Sequence, residues 1–590
     1  MALRALRRRL EANSYLLMRK IIALRLFAFP ILLGLLLADP LASPVLARSS
    51  LAEAGEVSAA DPRAEEAGRA MLHAGGNAVD AAIAVMLALT VVEPQSSGIG
   101  GGGFLVRGEA GGNITTFDGR EKAPAGADPN WFLQADGSLP EFRESVHSGL
   151  SVGVPGNIRM AEKAHRKYGK LPWAKLFEPA IALARDGFKI NPRLHGYLES
   201  MPTVAGWSHT GRALYYDSEG RALPAGALVK NEQLARTFEK LASHGADAFY
   251  HDDIAARLVA QVAAATPRNG AMTMQDVASY KAKERDAVCG SYRRYRICAM
   301  GPPTSGGIAV LQILGQLERF DLAALGKDNP VTWHLFVESQ RLAYADRELY
   351  LADPDYVSVP VRGLLDRDYL AQRSALIDPA SSLDIVAPGT PEGIELAFAD
   401  GDEPEERGTS HFAIIDGEGT MVSYTSTIES AFGSGLMANG FFLNNELTDF
   451  SRSPQIDGRM VANRVEGGKR PRSSMSPTVI WDLEGKPFMA VGAAGGQTIP
   501  VTTARAIIGA IDFGLSAEET LSLPFLMAFG SVVMVEKDTW LENAIPQFQS
   551  LGHAQIVARE APIKGNAVMW EEGNWEGARD PRIETGLQVP

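Results

Sequence analysis

The junction Glu406-Arg407-Gly408-Thr409-Ser410-His411-Phe412-Ala413-Ile414-Ile415-Asp416 constrains this chain more than any other segment. Before it, from Trp131 to about Ala399, the pattern predicts helices joined by loops, and the acidic run Asp400-Gly401-Asp402-Glu403-Pro404-Glu405-Glu406 predicts a mobile loop. From Thr409 the apolar period becomes that of β-strands. His411–Asp416 and Met421–Thr427 predict two strands joined by Gly417-Glu418-Gly419. A three-residue hairpin loop pairs Asp416 with Thr420 and, down the ladder, Thr409 with Thr427. Cross-strand neighbours lie about 5 Å apart, so a second hydroxyl would sit beside that of Thr409. A one-residue slip would remove that neighbour. If the chain is cut between Gly408 and Thr409, one residue carries a hydroxyl nucleophile and a free α-amine that can serve as its base.

The rest of the composition narrows the class. The chain has 590 residues, of which 46% are hydrophobic and 22% charged, ample for a globular core. A formal net charge of −13 argues against nucleic acid as the main partner. Residues 1–47 combine arginines with an apolar run, Leu26 to Ala38, broken by Pro30 and followed by Val45-Leu46-Ala47. This predicts a secretory signal peptide, with Met18 a more ordinary start than Met1 and a periplasmic or secreted product. An uncleaved signal anchor is the alternative. No later segment predicts a membrane span.

Export gives the two cysteines meaning. Val288 to Cys298 alternates like a hairpin, and a two-residue turn at Arg293-Arg294 places Cys289 across from Cys298. A disulfide is expected in an oxidising compartment, with two buried thiols as the alternative. Two cysteines and ten scattered histidines suggest no metal site, and no cofactor is implied.

Near the N-terminus, Glu65 to His73 predicts an amphipathic helix stopped by Gly75-Gly76. Asn77 then caps a second helix, with Asp80 completing a capping box and Ala81 to Leu89 apolar on nearly every side. Gly100-Gly101-Gly102-Gly103 precedes the strand Phe104–Arg107. With no Lys-Ser/Thr and no helix following, close backbone packing is a better account than a phosphate loop. Helices are expected from near Ile308 and, amphipathic, over Trp333–Tyr350.

Taken in order, several stretches resemble the γ-glutamyltranspeptidase (glutathione hydrolase) family. They are Gly75-Gly76-Asn77-Ala78-Val79-Asp80, Val92-Glu93-Pro94, Ser97 to Phe104, Phe117-Asp118-Gly119-Arg120-Glu121 and Pro302 to Gly307. Ala345-Asp346-Arg347, Gly408-Thr409-Ser410-His411, Leu443-Asn444-Asn445, Arg472 to Pro477 and Gly495-Gly496 complete the set. The resemblance implies an α+β N-terminal-nucleophile fold, a four-layer αββα sandwich. It would be formed by the two fragments of one autocleaved precursor, 48–408 and 409–590, with Gly408 and Thr409 flanking the cut. It further implies a γ-glutamyl substrate such as glutathione, and water or an amino acid or peptide as acceptor.

Roles follow by the same resemblance. Thr409 would be the nucleophile and Thr427 its supporting hydroxyl. The N–H groups of Gly495 and Gly496 would form an oxyanion hole. Arg120 would clamp the substrate α-carboxylate with Ser473 and Ser474, a task suited to a guanidinium. Glu446 and Asp449 would hold the α-ammonium. His411 invites a triad reading, but a structural role is favoured.

Two departures bear on substrate. Glu429 stands where many transpeptidases carry Asn, adding a third carboxylate. The segment from Phe450 to Arg472 looks shorter than the usual lid-bearing loop, as though open to bulkier substrates. A cephalosporin or glutaryl acylase on the same fold is therefore the enzymatic alternative. A non-catalytic binding relative is the other.

Overall fold

A computed structural model describes residues 55–268, 270–394, 399 and 408–589. The expected signal segment 1–47 and the acidic run 400–406 lie outside the described residues.

Two antiparallel six-stranded sheets organise the chain. Their strands, in chain order, are β1 (Gly55–Ala59), β2 (Gly102–Gly108), β3 (Ile114–Asp118), β4 (Lys283–Arg285), β5 (Val288–Tyr292) and β6 (Tyr295–Ala299). The remainder are β7 (Ser410–Asp416), β8 (Met421–Thr427), β9 (Thr478–Trp481), β10 (Pro487–Ala494), β11 (Lys564–Glu571) and β12 (Asn574–Arg579). The first sheet runs β1-β7-β8-β2-β3-β4 and the second β12-β11-β10-β9-β6-β5. Each therefore mixes strands from both sides of the Gly408–Thr409 bond.

Period-two alternation decides what each strand buries. Phe104, Val106, Ala413, Ile415, Val479, Trp481 and Ala490 form one apolar layer between the sheets. Phe412, Ile414, Val422 and Tyr424 point the other way, into a cluster with α1 (Pro62–His73) and α2 (Ala78–Val92). On the far side Ile480, Met489, Val491 and Ala567 join a third cluster. It is shared with α4 (Gly306–Leu317), α5 (Pro330–Tyr350) and α6 (Ile499–Ile511); the intervening α3 is Pro192–Ser200. The result is the αββα layering, and sandwiching explains why β7 and β8 are buried along their whole length. Truncating Ile415 to Ala should cost about 2–5 kcal/mol.

The capping box at Asn77 forms as expected, and α2 is buried at every position. Helix α4 begins at Gly306 rather than near Ile308. Helix α5 starts earlier than expected, at Pro330, and is buried around most of its circumference rather than amphipathic, because neighbouring elements cover several of its faces. The glycine run packs as backbone: a Cβ on Gly101 would lie 1.9 Å from the Thr427 carbonyl oxygen. Between Phe450 and Arg472 there is only a small hairpin, Gln455–Ile456 with Arg459–Met460. Cys289 and Cys298 face each other across β5 and β6 and are joined as a disulfide. Among the described residues no helix is long and apolar enough to cross a membrane.

Candidate active site

The hairpin register places Ser426 opposite Ser410, so the next pair outward is Thr427 and Thr409. Their hydroxyls meet: Thr409 Oγ1 donates to Thr427 Oγ1 at 2.9 Å. The Glu429 N–H also donates to Thr427 Oγ1, at 2.8 Å, which fixes that hydroxyl as an acceptor. Both threonines are buried.

The junction itself is strained. Thr409 has φ of 93°, a left-handed value that a β-branched residue rarely adopts. Such conformations cost about 1–3 kcal/mol and persist only where surroundings impose them. Here the Thr409 N–H is held by the Ser96 carbonyl at 2.9 Å, and the Thr409 carbonyl by Lys564 Nζ at 2.6 Å. Gly408 admits no side chain, since a Cβ would lie 1.5 Å from the Glu429 carbonyl oxygen. Glu429 also has a positive φ, 73°.

Gly495 and Gly496 follow β10 directly and open a 3₁₀ turn that runs into α6. Their φ values, 134° and 59°, turn the chain sharply at a helix N-terminus, where backbone N–H groups concentrate positive potential. Ala494, just before them, pairs with Lys564 of β11, whose ammonium holds Thr409. Burial pushes the Lys564 ammonium down to about 7, Arg193 of α3 adding to the effect and Glu93 opposing it.

Beside this corner lies a second one, crowded with carboxyls. Arg120 is buried and donates to Glu446 through Nη1 and to Asp449 through Nη2. It also donates to the carbonyls of Pro471 at 3.2 Å and Arg472 at 2.9 Å, which brings the Ser473-Ser474 segment alongside. Ser474 Oγ accepts from Arg347 at 2.7 Å, and Ser473 Oγ from the Met475 N–H at 3.1 Å. Glu429 is buried and reaches the same cluster, accepting from Asn445. Its side chain faces inward.

Sequence reasoning missed Glu121, although Arg120-Glu121 stood in the quoted motif. It lies 4.0 Å from the Arg120 guanidinium, and neither of its oxygens receives a hydrogen bond. Glu429 Oε1 and Glu446 Oε2 are likewise without a donor. Three buried carboxyls, Glu121, Glu446 and Asp449, thus face one guanidinium, and Glu429 adjoins them through the charge of Asp449. Burial raises Glu121 to about 7, against the pull of Arg120. Burial, reinforced by Asp449, raises Glu429 to about 8. Burial and the neighbouring acids hold Glu446 well above the usual carboxylate range. Missed too were Asn445 as a ligand of Glu429 and Lys564; the first lay in a quoted motif, while the second, a lone lysine opening a strand, gave no signal.

His411 shares the Thr409 face of β7 but is engaged elsewhere: Nδ1 lies 2.8 Å from Thr425 Oγ1 and the ring packs on Gly492. Burial pushes its pKa down to about 3, so it stays neutral. Among the described residues His334, Glu338 and His553 could group around a metal ion. They are already tied together, His334 Nδ1 lying 2.8 Å from His553 Nε2 and Glu338 accepting from Arg341 at 2.8 Å.

Residues 64–589 match the family described as Gamma-glutamyltranspeptidase. The chain is 35% identical to the glutathione hydrolase proenzyme of Escherichia coli K12 over 544 residues, 90% of this chain and 91% of that protein. It is 36% identical to that of Bacillus subtilis 168 over 541 residues, 89% and 90% of the two. The cephalosporin acylase structure from Bacillus halodurans is similar at TM-score 0.78 and 27% identity, covering 90% of this chain and 94% of that one. Helicobacter pylori gamma-glutamyltranspeptidase is similar at TM-score 0.54 and 36% identity over 57% of this chain and 95% of that one. A match of this length, carried by relatives spanning nearly the whole of either chain, means that this protein belongs to the gamma-glutamyltranspeptidase family.

Proposed function

We propose that the protein is an autoprocessed threonine amidohydrolase and acyltransferase that takes γ-glutamyl amides, glutathione among them. The observation that carries this is the hydroxyl pair Thr409–Thr427 at the strained Gly408–Thr409 junction. In the precursor the Thr409 hydroxyl attacks the Gly408 carbonyl carbon and the peptide C–N bond breaks, leaving an ester. The hydroxyl proton goes to the nitrogen, which frees the Thr409 amine, and water then opens the ester to give the Gly408 carboxylate and the hydroxyl. The cut also abolishes the strained φ, which exists only while Gly408 is attached.

In the mature protein the Thr409 amine accepts the hydroxyl proton as Oγ1 attacks the γ-carbonyl. The N–H groups of Gly495 and Gly496 stabilise the oxyanion, each worth about 3 kcal/mol. The proton passes to the departing amine, and the acyl group moves from Oγ1 to water or to an amino acid or peptide amine.

The charged corner supports the choice of acyl group. Arg120 is engaged by Glu446 and Asp449, so an incoming carboxylate must displace them. A γ-glutamyl head brings both charges: its carboxylate takes the guanidinium while its ammonium takes the released acids. A glutaryl head brings only the carboxylate and leaves buried acids unpaired, a costly outcome. The likeness to a cephalosporin acylase favours the glutaryl reading; the charge balance favours the γ-glutamyl one. The disulfide Cys289–Cys298 supports an oxidising, extracytoplasmic location.

Intact mass of the purified protein under denaturing conditions tests the first step. Two fragments, the smaller beginning at Thr409, are expected; a single uncut, inactive chain would overturn the reading. Turnover of γ-glutamyl against glutaryl anilides then tests the acyl group, and preference for the second would replace the substrate assignment.

A further inference from the structure

Behind the nucleophile lies a buried cation that the chemistry above does not use. Lys564 opens β11, and its Nζ donates to the Thr409 carbonyl at 2.6 Å and to Ser96 Oγ at 3.1 Å. Both acceptors are neutral. The Ser96 carbonyl in turn receives the Thr409 N–H at 2.9 Å, so Lys564 and Ser96 hold the two ends of the same residue. A buried ammonium served only by neutral groups is expensive to keep.

The other charges nearby are committed elsewhere. Glu93, following α2, accepts from Ser410 Oγ at 2.7 Å and from Arg193 of α3. Arg193 is a second cation facing the same region, and Gln95 donates to Glu93 at 3.3 Å. The carbonyl oxygen and the nitrogen of Thr409 belong to one residue, so covalent geometry puts that nitrogen within roughly 6 Å of Nζ. When the cut turns it into an amine, two basic nitrogens share one buried pocket. Like charges at that distance disfavour each other's protonation, and the pair titrates as a unit.

We propose that Lys564 is a positioning residue for the nucleophile: it anchors the Thr409 carbonyl before and after the cut and, as a second basic nitrogen in the same buried pocket, keeps the freed α-amine in its proton-accepting form. The proposal rests on the reading of Thr409 as the freed N-terminal nucleophile. The two nitrogens compete for a proton, and Nζ has two acceptors preset for it. The amine keeps its lone pair for the Thr409 hydroxyl.

The first test uses the wild-type mature protein. Competitive acylation of the Thr409 α-amine across pH, read by mass spectrometry of the N-terminal peptide, gives its midpoint. A midpoint below the ordinary α-amino range of about 7.7–8.0 is expected. A midpoint in or above that range overturns the role of Lys564 while leaving Thr409 as the nucleophile. Absence of a free Thr409 amine would remove both.

The second test compares Lys564→Met with Lys564→Arg. Without the cation the acid limb of kcat/KM should move up by about one pH unit; with arginine it should stay in place. A purely structural lysine would lower activity without moving that limb, and an unmoved limb in Lys564→Met refutes the proposal. If Lys564→Met does not mature, the wild-type titration and the arginine variant decide.

Discussion

The two halves of the site solve opposite problems. Around Thr409 the candidate groups are neutral hydroxyls and backbone, fixed by the strand register and by strain. Around Arg120 three carboxyls crowd one guanidinium with Glu429 close behind, and several of their oxygens have no donor. The first corner is built for geometry and the second for charge exchange. Variants in the first should therefore change the chemical step, and variants in the second should change substrate affinity, pH dependence and stability.

The largest expected effect tests the first half. Thr409→Ala removes the proposed nucleophile from both reactions, so the precursor should remain one chain and turnover should fall on the order of 10⁴-fold or more. Intact mass and γ-glutamyl anilide hydrolysis check the two consequences separately. A cut chain in this variant would detach processing from Thr409. The fold should survive, because the strands on either side keep their pairing whether or not the bond is broken.

Next in size is a change of fork without change of charge. Arg120→Lys keeps a cation among the acids but cannot serve two carboxylates in one plane. A fall in kcat/KM of about 10–100-fold is expected, carried mainly by KM, with processing intact. Steady-state kinetics with γ-glutamyl and glutaryl substrates check it. If kcat fell and KM held, the division between a geometric and a recognition corner would be wrong.

How much of this could be read from the chain depends on the kind of interaction. The β7–β8 register was legible because a three-residue turn and period-two alternation fix it locally, and the Cys289–Cys298 hairpin was legible for the same reason. The layering and the site residues came largely from the resemblance. The excess of acid over base was only partly visible: Glu429, Glu446 and Asp449 could be named, but Glu121, beside Arg120 in the chain, meets them only through folding, and the burial that raises their pKa values has no sequence signature. Lys564 illustrates the limit, since 155 residues separate it from the carbonyl it holds. Helix α5 misled in the opposite way, because a pattern that suggests one exposed face does not reveal neighbours that cover it.

A smaller effect should appear in stability rather than rate. Glu429 titrates near 8 in the fold and near 4.3 when unfolded, because burial disfavours its charge. Between those values the folded state holds a proton that the unfolded state lacks. Stability contributed by the protonated form is complete below about pH 4 and is lost as pH rises toward 8. Glu429→Gln should remove that slope, worth on the order of a few kcal/mol, and denaturant midpoints at pH 5 and pH 8 check it. An unchanged slope would mean that Glu429 is charged in the fold and balanced by groups other than those around Arg120.

The smallest effect concerns His411, and it sharpens the contrast between the corners. Its pKa, pushed by burial to about 3, lies below the unfolded value of about 6.5. The stability of the neutral ring is therefore present above pH 6.5 and lost as pH falls toward 3, the reverse of Glu429. The nucleophile corner should weaken in acid and the recognition corner in base. His411→Asn should soften the acid loss while changing kcat/KM by less than about tenfold, against the roughly 10²–10⁴-fold that losing a general base costs. A fall in that larger range, with the acid limb of the rate profile gone, would restore the histidine to the chemistry. Its hydrogen bond to Thr425, the residue directly opposite it across the strand pair, argues that the limb will remain.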